Sequence, residues 1–409
     1  MLFKKIKCKT YGGKIKLTDN NHIKYRPYFF CIVTMFFWFA MYTYVPIFAA
    51  YVEDLGASHR LAGIIVGSYG FTQMMLRIPV GIISDRLHKR RMFISLGLLF
   101  AFLSSAGLSA TTAISLILIF RALAGAAAAT WVDFTVLYTS YFKHEESVKA
   151  IGVLNFFTTI GQMTAMLAGG WVAQNISTKA TFSLGALAGL IGLAASFFII
   201  EKYEQQAEKI TFKSIIDVLK NHTLISVSCL AILSQLITFA TVFGFTPVFA
   251  KNIGASKVEM GILTVVSSLP TAIASLAAGK YLAKKFGEKT IIITGFILTG
   301  IFTLIIPFTK SFHLLLATQV FSGFGRGLSF TLLMGLSIKD VRSDRRATAM
   351  GFFQAVYGLG MFLGPVFLGT ISDLFSLEQG FIAMGFTGIT TAAISYILLA
   401  KSFNPALPE

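Results

Sequence analysis

Charged side chains are scarce in this sequence, at 13% of 409 residues, while 55% of residues are hydrophobic. A chain so poor in charge cannot clothe a soluble domain of this size, so the composition is that of a membrane protein. Cysteine is rarer still. Cys8, Cys31 and Cys229 are scattered without ligand spacing, which excludes a zinc site of the usual kind and a disulfide framework. Proline is sparse at 9 residues against 36 glycines, a balance that suits long apolar helices packed through small residues. The six histidines, His22, His59, His88, His144, His222 and His313, all fall in loops or at span ends, so none suggests a metal centre. Acids number 18 against 35 Lys and Arg, giving a net charge of +17, and the placement of those cations decides whether nucleic acid or lipid is the partner.

Stretches long enough to cross about 30 Å of hydrocarbon are predicted at 27–50, 60–83, 92–110, 114–140, 150–173 and 180–200. A second set follows at 224–250, 258–282, 290–309, 311–337, 347–371 and 379–401. The segments divide into a basic tail (1–26), a six-helix bundle (27–200), a polar linker (201–223) and a second bundle (224–402). The tail carries seven Lys and one Arg, and the run after it is too long, and without a small-residue cleavage site, to be a cleavable signal. With both termini cytoplasmic, 27 of the 35 cations lie inside, five outside and three within spans. That asymmetry predicts a multi-pass protein of the plasma (inner) membrane with cytoplasmic ends. It also accounts for the charge without nucleic acid.

The halves repeat. LGAS at 55 matches IGAS at 253, and Gly63, Gly81 and Gly125 match Gly261, Gly279 and Gly323 at an offset of 198. Beyond the fourth span the offset is 199, pairing Gly152, Gly161 and Gly170 with Gly351, Gly360 and Gly369. The expected fold is therefore an all-α membrane protein of 12 transmembrane helices in two pseudo-symmetric six-helix bundles, the design of a transporter that rocks about a central site.

The stretch GIISDRLHKRR (81–91) joins spans two and three. Asp85 at the membrane edge can accept hydrogen bonds from a helix N-terminus in the other half, a latch that releases on rocking. This loop resembles the signature of the major facilitator superfamily, G-x-L-a-D-R-x-G-R-R/K. Gly81, Ile83, Ser84, Asp85, Arg86, Lys89 and Arg90 fit it, and His88 stands where the family has Gly. The second half keeps Gly279, Lys284, Lys285, Gly287 and Lys289, with Ala283 in place of the Asp. The resemblance covers about residues 27–401 and lies with the drug and sugar efflux branches, the proton antiporters. It implies a gating role for Gly81, Asp85, Arg86, Lys89 and Arg90. The antiporter pattern G-x-x-x-G-P-x-x-G-G is incomplete in span five, at Gly161, Ala165, Met166, Gly169 and Gly170. A related pattern stands in span eleven, at Gly360, Gly364, Pro365 and Gly369. Arg121 and Gly125 match the family's R-x-x-x-G segment implicated in proton transfer.

Asp133 is the one acid well inside a span, and Arg77 lies at equal depth, about 12 Å from the same face at 1.5 Å per residue. Their pairing is expected, with Asp133, Arg77 and Arg121 as candidates for proton coupling; a static ion pair between two helices is the competing reading. Trp38 and Tyr42, at i and i+4, together with Asn155, Gln235, Arg326, Gln354 and Tyr357, are candidate substrate contacts, set against plain helix-to-helix bonding. Asn155 and Gln354 occupy matching repeat positions. The glycines around Arg326 lack the strand and the Lys-Ser/Thr of a nucleotide loop.

The expected function is export of a small lipophilic or amphipathic organic compound by proton antiport. The protein is expected to be a monomer in the lipid bilayer, without cofactor, drawing on the proton gradient. Uptake or exchange of an organic anion or sugar-like solute is the alternative. A non-transporting receptor or lipid-handling protein on the same fold is a third class, and no enzyme constellation survives the reading.

Overall fold

The computed structural model describes residues 20–143, 146–201, 221–342 and 345–403. Most of the basic tail (1–19) and of the linker (202–220) lies outside the described residues. Among the described residues, eleven helices are long and apolar enough to cross a membrane: α1 (Arg26–Asp54), α2 (His59–Leu87), α3 (Arg90–Ala110), α4 (Ile114–Thr139), α5 (Lys149–Asn175), α6 (Thr178–Ser196), α7 (His222–Asn252), α8 (Lys257–Phe286), α9 (Glu288–Phe308), α11 (Thr348–Leu374) and α12 (Leu377–Leu399). The twelfth, α10 (Phe312–Lys339), has the length but is diluted by Gln319, Arg326 and four glycines. Its polar residues Gln319, Ser322 and Arg326 are buried against the helices around them, so α10 completes the second bundle rather than leaving it.

Local signals set the helix ends. Ser58, Ser177, Asn221, Ser256 and Ser311 each accept a backbone N–H from the first turn of α2, α6, α7, α8 and α10. Ser256 and Glu259 form a complete capping box. At the end of α2 the chain reverses through His88, at φ +53°, the left-handed conformation that glycine adopts without strain. Gly287 closes α8 at φ +83°. Two helices break at repeat-related points: α1 at Thr43, whose hydroxyl bonds the Phe39 carbonyl at 2.5 Å, and α7 in a π-helical turn from Thr241 to Phe245.

The halves meet through α1 with α7, α2 with α11, and α5 with α8. Each seam needs small residues. A β-carbon on Gly63 would overlap the Pro365 carbonyl, and one on Gly369 the His59 carbonyl. One on Gly170 would stand 2.7 Å from the Lys257 oxygen.

The hydrophobic core is continuous on one side and divided on the other. On the face carrying the 55–58 and 253–256 turns, Tyr44, Phe48 and Val66 form a single cluster with Phe245, Phe249 and Phe381. Toward the face carrying the 88–89 and 287 turns, hereafter the basic face, there are two clusters, one around Ile94, Phe134 and Tyr138 that takes in only Phe239 and Met361 from the second half, and one around Leu224, Ile292 and Leu333. Among the described residues, most polar bonds between the halves lie on the first face, the exception being Arg77 with Gln354 deeper in the seam. Asp54 pairs with Lys251, Gln174 accepts from the Lys257 N–H at 3.1 Å, and Thr178 accepts from the Lys257 ammonium at 2.8 Å. The molecule is thus closed on the face opposite the basic one. Gly63→Val is expected to wedge this seam at an overpacking cost of about 1–3 kcal/mol, read as a lowered Tm and as a longer distance between labels on the closed face.

Candidate functional site

A small cavity of about 10 Å³, room for roughly one water, lies between the halves, lined by Met41, Tyr42 and Val45 of α1, Tyr69 of α2, Arg121 of α4, and Phe239 and Phe243 of α7. The helix breaks next to Thr43 and Thr241 turn these aromatic residues toward one another, and the Tyr42 and Phe243 rings meet edge-on across the halves at 6.0 Å. Trp38 stands one turn behind Tyr42, edge-to-face at 5.5 Å, with a buried indole N–H that finds no partner among the described residues.

Arg121 is the charged group of this cavity. It is buried, and its guanidinium lies over the rings of Tyr69 at 4.7 Å, Phe48 at 5.2 Å and Tyr44 at 5.6 Å while it donates to the Tyr44 hydroxyl at 3.2 Å. Among the described residues no carboxylate pairs with it. Aromatic faces offset part of the cost of burying the charge, and an arginine held this way remains able to attract an electron-rich or anionic group. Glycine makes the arrangement possible. A β-carbon on Gly125 would overlap the Tyr69 carbonyl, so α4 and α2 could not approach closely enough to bring Arg121 over Tyr69.

The expected Arg77–Asp133 pair does not form. Arg77 donates to the Gln354 side-chain oxygen at 2.7 Å and to the Ala128 carbonyl at 3.3 Å, and so bridges α2 to α11 and to the carbonyl end where α4 breaks at Thr130. Asp133, fully buried, takes its cation from Arg90 at 3.3 Å. Equal depth on two helices did not suffice, because the arginine at the start of α3 is long enough to reach up from the basic face. Arg90 also pairs with Asp85, and its backbone N–H donates to Glu201 at 2.5 Å.

Asp85 is not engaged across the halves in this conformation. It turns to Arg90 in its own half, and among the described residues it makes no bond to a helix of the other half. The reversal at His88 brings the first residue of α3 back over the last turn of α2, within reach of Asp85. Gly81 is buried, while Arg86 and Lys89 are exposed on the basic face.

The remaining candidates scatter. Gln354 belongs to the seam through Arg77, and Tyr357 packs edge-on against Phe330 and Phe353. Gln235 is half-buried in α7, and Asn155 is exposed on α5, outside the cavity lining. Arg326 is pinned inside the second half, donating to Ser322 at 2.9 Å and to the carbonyl and hydroxyl of Ser267, and does not line the cavity. Sequence reasoning did not single out Tyr44, Tyr69, Phe239 or Phe243. Among 40 phenylalanines and 13 tyrosines no spacing marks those that turn inward. A charge-assisted bond across the central seam contributes about 1.5–3 kcal/mol, so a double-mutant cycle of Arg77→Ala and Gln354→Ala, read by thermal unfolding, is expected to show positive coupling of that order.

Two bundles, seamed through glycines around an aromatic, arginine-bearing cavity, define a carrier of small molecules. The family model of the Major Facilitator Superfamily matches residues 30–251 and 227–408. The chain belongs to that superfamily. It is a multi-pass membrane transporter rather than an enzyme, and its substrate is a small molecule. An uncharacterized transporter of the same type from Methanocaldococcus jannaschii is 26% identical over 365 residues, 87% of this chain and 93% of that one. The quinolone resistance protein NorA of Staphylococcus aureus is 28% identical over 153 residues, 37% of this chain and 39% of its own length. In structure, the chain is similar to a bacterial homologue of the human lysosomal transporter Spinster in its inward-facing, unoccupied conformation, with a TM-score of 0.80 at 15% identity over 95% of this chain and 99% of the other.

Proposed function

We propose that the protein exports a small lipophilic or amphipathic organic compound from the cytoplasm, in exchange for protons, by alternating access. The observation that carries this reading is the cavity itself, an aromatic wall of Tyr42, Tyr69, Phe239 and Phe243 interrupted by one cation, Arg121. Such a wall recognises flat apolar bodies and holds a polar or acidic substituent in register. The partial likeness to a quinolone resistance protein supports the same class of substrate and the same direction.

In this reading the basic face is cytoplasmic by the placement of Lys and Arg, the membrane is the plasma (inner) membrane, and the structure is open inward. A monomer suffices. The energy source is the proton gradient, and no cofactor takes part. Asp133 carries the coupling proton: it is fully buried, and Arg90 is shared between it and Asp85, so a rocking motion that withdraws Arg90 to either carboxylate changes what holds the other ionised. Everted vesicles energised to an acidic interior are expected to accumulate a lipophilic fluorescent dye, to lose it on addition of an uncoupler, and to lose that response in Asp133→Asn. Dye accumulation unaffected by the uncoupler would count against proton exchange.

The lone cation in the cavity favours one second reading, uptake of an organic anion. It predicts accumulation of an aromatic carboxylate by intact cells, lost in Arg121→Ala, with no dye efflux.

A further inference from the structure

The pentapeptide at the end of α2, GIISD (81–85), recurs almost unchanged at the end of α11, GTISD (369–373). The two helices pack against each other in opposite directions, so the pentapeptides sit at opposite ends of the pair. Their local structures agree. Both serines are buried and donate back along the helix, Ser84 to the Gly81 carbonyl at 3.1 Å and Ser372 to the Leu368 carbonyl at 2.9 Å. The carboxylates do not agree. Asp85 is turned to Arg90 in its own half, whereas Asp373 reaches across to the other half and accepts the backbone N–H of His59 at 2.9 Å and of Arg60 at 3.0 Å.

Those donors are the first two N–H groups of α2, which have no acceptor inside their own helix. The Ser58 hydroxyl accepts from Leu61 and the Ser58 carbonyl from Ala62. The α2 N-terminus is therefore fully satisfied, half of it by a residue of the other bundle. In its own helix Asp373 is poorly placed, because a carboxylate in the last turn opposes the helix dipole. Against the positive end of α2 the same charge is favourable. Gly369, one turn earlier, lets the helices come this close, since a β-carbon there would overlap the His59 carbonyl.

We infer that Asp373 is a latch that holds the face opposite the basic one closed, by capping α2 from across the seam. This inference rests on the alternating-access reading proposed above. Of the other polar contacts on that face, Asp54 and Lys251 are well exposed and a pair of that kind contributes little, while Gln174 and Thr178 accept from Lys257 without bringing a carboxylate to a helix end. The latch must break whenever the molecule opens to that side, so it sets the balance between the two conformations.

The test is a pair of distances on the full chain in lipid nanodiscs, with spin labels at 179 and 310 on the closed face and, separately, at 143 and 285 on the basic face. Asp373→Asn is expected to raise the ratio of opened to closed molecules about twofold to fivefold, because the amide keeps an acceptor for the α2 N–H groups and only the charge is lost: the 179–310 distance lengthens and the 143–285 distance shortens. His59→Pro removes one donor at a helix position that tolerates proline and is expected to shift both distances the same way, by less. Broadening of both distributions without the reciprocal shift would overturn the latch, as would unchanged distances. Gly63→Val separates the two levels of the argument. If this wedge moves both distances and Asp373→Asn does not, the halves rock but Asp373 is no latch; if neither moves either distance, alternating access fails with it.

Discussion

Replacing Arg121 by alanine is expected to lower transport about 30-fold or more, the equivalent of one desolvated cation contact of about 2 kcal/mol. The side chain is buried, covers three aromatic rings and lacks a carboxylate partner among the described residues, so its charge is directed to whatever enters the cavity. Arg121→Lys is the sharper variant. It keeps the charge but not the plane, and one ammonium cannot lie over Tyr44, Phe48 and Tyr69 at once. Transport by Arg121→Lys is expected to stay close to that of Arg121→Ala, while ligand-free Tm recovers in part. Dye flux in vesicles and thermal unfolding of the same preparations measure the two effects separately, and full transport by the lysine variant would reduce Arg121 to a point charge.

At the basic end, Arg90→Ala is expected to destabilise the protein by about 3–5 kcal/mol, the usual result of removing one partner from a buried pair. Arg90 stands between two carboxylates, and Asp133 has no exposure with which to recover its hydration. The sign of the effect can be checked within the same cluster. In an Arg90→Ala background, Asp133→Asn removes the stranded charge and is expected to restore most of the loss, whereas in the native background it costs less. Thermal unfolding of the four proteins in one lipid mixture gives the coupling. Additive losses would mean that Arg90 and Asp133 do not act as a pair.

Much of the fold was legible in the sequence because bilayer thickness and glycine spacing are one-dimensional facts. The offsets of 198 and 199 anticipated two bundles, and some of the glycines that keep those offsets, Gly63, Gly125, Gly170 and Gly369 among them, stand where helices approach closely, while Gly152, Gly279 and Gly351 do not. α10 is predicted at 311–337 despite its polar residues, which the fold turns inward. The site was legible in part. Arg121 and Tyr42 line the cavity, but the partners of Asp133 and Arg77 depended on how far an arginine reaches and where α4 breaks, and neither leaves a periodic trace. Asp373 had a signal, the repeated G-x-I-S-D, that only the antiparallel packing of α2 and α11 gives meaning.

The account depends on the two bundles separating on the face where they now touch. Asp54 and Lys251 meet there, one from each half, at the ends of α1 and α7. In a background with Cys8, Cys31 and Cys229 replaced by alanine, Asp54→Cys and Lys251→Cys can be joined by a short disulfide-forming bridge and released by a reductant. Dye transport in vesicles is expected to stop when the bridge forms and to return on reduction. Undiminished transport with the bridge in place would contradict it.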